Sequence, residues 1–108
     1  MRAGELDRRI GILRATATAD AFNAPVETWS EVLQLWAAKR DVSDGERFRA
    51  GAMSAERMTR FQIRWSNAAN TITPMDRVKF DGLVYDILAV KELERREGIE
   101  ITASARVA

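Results

Sequence analysis

Apolar and polar residues alternate with a period of two along much of this chain, the repeat expected of a strand with one face buried. The pattern is clearest over Thr59–Trp65, where Thr59, Phe61, Ile63 and Trp65 point one way and Arg60, Gln62 and Arg64 the other. A second run closes the chain, with Ile99, Ile101, Ala103, Ala105 and Val107 set against Glu100, Thr102, Ser104 and Arg106. A third opens it, with Leu6, Ile10 and Ile12 sharing a face with Arg8 and Arg14. Between Arg77 and Val90 the spacing predicts a hairpin. Val78 and Phe80 alternate with Arg77 and Lys79, Asp81-Gly82 supplies a two-residue type I′ turn, and Leu83–Val90 returns. The returning strand is apolar on both faces, which places it in the middle of a sheet. It either stops near Val90 or runs on to Glu94, with Arg95-Arg96-Glu97-Gly98 as the turn into the last strand. Val32–Val42 reads as another strand with Trp36, Ala38 and Val42 on one face, although Leu33, Trp36 and Ala37 also stand at helical spacing.

One segment departs from this period. Ser43-Asp44-Gly45-Glu46 matches a capping box, and Phe48, Ala52 and Ala55 follow at helical spacing, predicting a short helix over Asp44–Ala55 weakened by Gly51. Ala15–Thr28 and Ser66–Asp76 read as long loops, the first rich in alanine and threonine, the second holding Asn67, Asn70 and Thr73-Pro74. The sum is a mainly β fold: a small antiparallel β-barrel or sandwich of five to six strands, with one short helix and long loops. Its expected core is Ile10, Ile12, Trp36, Phe61, Ile63, Trp65, Val78, Phe80, Tyr85, Ile87, Ile99 and Ile101.

Length allows one such domain, 1–108, and no second core. Seventeen basic against sixteen acidic residues leave a net charge of +1, with no charged tail in either half, so no strong overall field marks a nucleic-acid or membrane binder. Cysteine and histidine are both absent. That removes disulfides, thiol nucleophiles, thiolate metal sites, and the commonest general base and zinc ligand. The first residues alternate charge with single apolar positions and do not read as a signal peptide, and no apolar run approaches the roughly 20 residues of a membrane span. The serines lack a base, and no Walker loop, dinucleotide fingerprint or calcium loop occurs. A non-enzymatic chain without metal or cofactor is the expectation.

Fourteen of the seventeen basic residues are arginine. An alanine-rich, GC-rich coding background explains that bias, or else Arg47, Arg49, Arg57, Arg60 and Arg64 form a stretch that faces nucleic acid or an acidic neighbouring subunit. Glu46 and Glu56 dilute its field. Among the aromatics, Trp65 and Tyr85 sit in apolar alternation and read as core. Trp29 and Phe22 are the exposed candidates: either they anchor a protein partner, or they fold back over an open end of the barrel. Tryptophans on a small barrel also admit a single-strand nucleic-acid binder that stacks bases, the alternative function.

The order of these features resembles the tailed-phage head–tail joining proteins, also called head-closure or stopper proteins. The resemblance rests on the opening Met1-Arg2-Ala3-Gly4-Glu5-Leu6-Asp7-Arg8-Arg9-Ile10 and on the loop Asp20-Ala21-Phe22-Asn23-Ala24-Pro25 leading to Trp29. It continues through Trp36-Ala37, Phe61-Gln62-Ile63-Arg64-Trp65, and the close Arg77-Val78-Lys79-Phe80-Asp81-Gly82-Leu83-Val84-Tyr85-Asp86-Ile87. Asn23 stands where glycine is common, and asparagine tolerates the same left-handed backbone. The resemblance implies a structural job in the neck of a virion, a prophage particle or a gene transfer agent, assembled in the bacterial cytoplasm. It further implies a homo-oligomeric ring, hexamer or dodecamer, between a portal or adaptor protein and a tail terminator or tail protein. Packaged double-stranded DNA would pass through the channel. On that reading Asp20, Phe22, Asn23, Pro25 and Trp29 form a projecting interface, and Asp44, Glu46, Arg47, Arg49 and Arg57 face the channel or a neighbouring subunit. Deleting Thr18–Ala24 is expected to leave a folded domain that cannot assemble.

Overall fold

The structure, a computed structural model, describes residues 3–19, 21–42 and 58–105. Six antiparallel strands close into a barrel: β1 (Arg8–Ala19), β2 (Pro25–Asp41), β3 (Met58–Arg64), β4 (Arg77–Phe80), β5 (Leu83–Leu93) and β6 (Gly98–Ala105). Around the barrel they run β1-β2-β3-β6-β5-β4, and a short pairing of Gly11–Leu13 with Arg77–Lys79 joins β4 back to β1. Helical structure among the described residues is limited to two single 3-10 turns, Ala3–Glu5 and Ala69–Thr71. The helix expected over Asp44–Ala55 lies outside the described residues.

The alternation predicted for β1, β3, β4, β5 and β6 fills the barrel. Ile10, Ile12, Phe61, Ile63, Val78, Tyr85, Ile87, Ile99 and Ile101 are all buried. Phe61 is the hub, edge-on to Tyr85 at 5.4 Å between ring centres and to Phe80 at 5.7 Å, the geometry that ring quadrupoles favour. The Asp81-Gly82 turn has φ of 52° and 77°, the pair of left-handed residues that a type I′ turn needs. β5 runs on to Leu93, and a tight turn carries the chain into β6. It lies between β4 and β6, as two apolar faces suggested, although Leu88 bulges from its outer face and is exposed.

Two expectations fail. Trp36 is not core: it is 53% exposed, whereas Ala37 is fully buried and Leu33 and Leu35 pack against the core. Since a strand turns alternate residues to opposite faces, choosing Trp36 as inward set β2 one residue out of phase. The second failure is Ala15–Thr28, which is not a loop. Ala15 to Ala19 pair in register with Trp29 to Pro25, so β1 and β2 run on as a hairpin ribbon well past the barrel. Nearly all of its side chains are exposed, so alanine and threonine carry no apolar alternation there. Backbone pairing and the β-branched Thr16, Thr18, Val26 and Thr28 hold it extended instead. Pro25 sits at the first strand position, where its missing N–H costs least.

Candidate functional site

The ribbon is an arm. From Arg14 to Ala19 the chain advances roughly 3.3 Å per residue, about 17 Å in all. A bulge marks its root. Ile12 faces Leu33 while Leu13 faces Glu31, leaving Val32 as the extra residue that bends β2 as it leaves the barrel. At the tip, Asn23 takes φ of 61°, the left-handed conformation foreseen for it, and the chain reverses there. Phe22 is 91% exposed on this turn, and Val26 beside it is 40% exposed.

On the β4 side, two interactions bracket the arm to the barrel. Arg14 makes a two-pronged bond to Asp76, with Nε to Oδ1 and one terminal nitrogen to Oδ2 both at 3.1 Å. The same nitrogen donates to the Thr71 hydroxyl at 3.2 Å. Asp76 is buried and also accepts from the Thr73 amide, so one carboxylate ties β1 to the Ser66–Asp76 connection. The hydrogen bond to Asp76 outweighs partial burial and raises the Arg14 guanidinium above its ordinary pKa. The second interaction is a stack. The Arg77 guanidinium lies 3.8 Å from the Trp29 ring centre, and its Nε sits 3.4 Å from Asp86 on the neighbouring strand. Trp29 is therefore half-buried on the ladder opposite Ala15, not loose in a loop.

On the other side the arm leaves an open cleft. β2 and β3 pair only as far as Ala37 and Ile63. Beyond that point they diverge, and Leu6, Leu35, Trp36, Ile63 and Trp65 line a groove of about 650 Å³. Arg9 lies 5.1 Å over Trp36 and Arg96 lies 5.1 Å over Trp65. Trp65 packs against the core as expected, but its indole Nε1 is buried with no acceptor among the described residues.

The structure thus gathers Phe22, Asn23 and Pro25 at one end of the arm and puts Trp29 at its root. Asp20, Asp44, Glu46, Arg47, Arg49 and Arg57 lie outside the described residues. Sequence reasoning missed Arg14, Asp76 and Arg77, whose signal was only charged residues at the ends of two separate stretches read as loops. It also missed the Trp36 groove. Among the described residues no group of three or more carboxylates could hold a metal. On the turn between β5 and β6 the Glu94 carboxyl is raised above its usual value by hydrogen bonding to Glu97 and by that group's charge.

No curated protein matches the chain. Solved structures do, and two of them are informative. One is the solution structure of protein SF1141 from Shigella flexneri 2a, 29% identical over 97% of this chain and 96% of that one, with a TM-score of 0.78. The other belongs to the virion of a native gene transfer agent particle, 26% identical over 95% of this chain and 97% of that one, with a TM-score of 0.68. The family model for phage head completion proteins matches residues 1–106. That match takes in the barrel and the arm alike, and the chain accordingly belongs to the phage head completion protein family.

Proposed function

We propose that this chain is a ring subunit of the head–tail junction, a hexamer or dodecamer seated below a portal or adaptor protein that retains packaged DNA and receives the tail. At the coarser level it is a structural protein of the phage head and resides in the virion. The observation that carries the finer reading is the braced arm, a rigid ribbon with an apolar tip held clear of a closed barrel. Burying Phe22 in the free chain's core would contribute about 1.5–3 kcal/mol, and the fold forgoes it. An exposed aromatic on a stiff support suits a contact made with another molecule. A barrel whose strands pair all round offers neighbours few free edges, so a ring must be built through projections and side-chain surfaces. The mixed charges Asp44, Glu46, Arg47 and Arg49 suit a channel segment that DNA must slide past rather than grip. The chain works by shape and carries no chemical step.

Immunogold labelling of intact particles tests this, together with particles made without the chain. Label at the neck, and heads that lose DNA and lack tails when the chain is missing, are the expected results. Label over the capsid shell, or full tailed particles without the chain, would contradict the reading. Exposed Trp36 beneath Arg9 is the one feature favouring a single-strand nucleic-acid binder instead. Tight, salt-dependent binding of short oligonucleotides by the isolated chain would select that alternative.

A further inference from the structure

The groove where β2 parts from β3 is mainly apolar, and two tryptophans, Trp36 and Trp65, help to line it. At about 650 Å³ it falls in the range of sites that hold a ligand or an anchoring side chain. Among the described residues no carboxylate lines it, and Glu31 accepts a hydrogen bond from Gln34 on the rim at 3.2 Å. Its one charged lining residue among the described residues is Arg64, and Arg9 and Arg96 stack on its two tryptophans. The arm has the opposite character: residues 15–30 contain Asp20 and Glu27 and no lysine or arginine. Its tip presents Phe22 and Val26 to solvent. An acidic, apolar-tipped projection and a basic, apolar-floored groove complement each other in charge and in chemistry.

They cannot meet within one molecule. Pro25 at the arm tip and Trp36 at the groove stand eleven residues apart on the same strand, about 36 Å at the rise of an extended chain. Pairing with β1 along the whole of that stretch prevents β2 from doubling back. We infer that the groove receives the arm tip of a second copy of this chain, with Phe22 entering between Trp36 and Trp65. Such a contact joins two different surfaces of identical subunits, so each copy both gives an arm and accepts one. Repeated about a common axis, such a contact builds a ring. This inference rests on the ring reading above and names the surfaces that would build it.

The natural absence of cysteine makes the contact directly testable. Phe22→Cys and Gln34→Cys place one thiol at the tip and one on the exposed rim of the groove. In oxidised particles the double variant should give a ladder of covalent multimers on a non-reducing gel, and each single variant only monomer. When the two single variants are made together, with one thiol on each copy, dimers should form and nothing larger. Monomer alone in the double variant and in the mixture, from particles that contain the chain at the neck, would overturn the docking and leave the ring reading standing. Cross-linking of Phe22→Cys to a different particle protein would overturn it as well. Absence of the unaltered chain from the neck would instead sink the ring reading itself.

Discussion

The barrel and the arm are built on opposite principles, although they share two strands. In the barrel, β1 and β2 bury Ile10, Ile12 and Ala37 almost completely, and side-chain packing specifies the register. In the arm the same strands carry alanine and threonine with both faces in water, and no buried apolar residue fixes the pairing. Such a ribbon is marginal alone in water. What makes it stiff is its root: the bulge at Val32, the Arg14–Asp76 bond and the Trp29–Arg77 stack. The body spends its apolar residues on its own stability, while the arm keeps Phe22 and Val26 outside it. A residue left exposed on a braced support points to contact between molecules.

The sharpest contrast between the two regions should appear on truncating an aromatic in each. Phe61→Ala removes the hub of the barrel and should cost about 3–5 kcal/mol of unfolding free energy. Phe22→Ala should change stability by no more than about 0.5 kcal/mol. Urea denaturation measures both, and similar losses would mean that the arm tip belongs to the fold after all.

The root should give an intermediate effect. Arg14→Ala strands the Asp76 carboxylate, which is 5% exposed, with the Thr73 amide as its remaining donor. Because Arg14 itself is 37% exposed, solvent weakens the pair, and a loss of about 1–2 kcal/mol is expected rather than that of a buried one. Amide exchange should accelerate from Ala15 to Ala19 more than in β3 or β6. The sign of the pH effect follows from the raised Arg14 value: its stabilisation is complete below the ordinary arginine pKa and is lost only as pH climbs through the raised one. On Arg14's account the difference between variant and parent should stay constant across the neutral range.

The smallest effect belongs to the turn between β5 and β6, on the barrel yet outside its core. Glu97→Gln should return the Glu94 carboxyl to its ordinary titration, followed by NMR. A folded-state value raised in this way favours folding below the ordinary carboxylate pKa and loses that contribution as pH rises through the raised value. The parent's slight acid-side gain should vanish in the variant.

The barrel was readable from the residues because each of its strands spends apolar side chains on one face, and Phe61, Ile63, Val78 and Ile101 stand at the spacing that requires. The arm was not, because Thr16, Ala17 and Thr18 carry no inward preference, and pairing with residues 26–28 is a property of the backbone. Trp36 misled for a related reason. Size suggested burial, yet the small Ala37 occupies the inward position and the tryptophan covers the cleft beside it. At the tip, Asn23 disclosed its left-handed turn through chemistry alone. The link from Arg14 to Asp76 joins positions 62 residues apart, and no local pattern announces it.

Arm replacement in assembled particles is the most direct test. Exchanging residues 18–26 for Asn-Gly joins the register partners Ala17 and Glu27 through a two-residue turn and removes the tip without touching the barrel. This refines the deletion of Thr18–Ala24, which would leave Pro25 in a tight turn that it fits poorly. The account predicts a folded chain with barrel stability near the parent's, absent from the neck of particles that carry no tails. Normal tailed particles containing the shortened chain at the neck would contradict it.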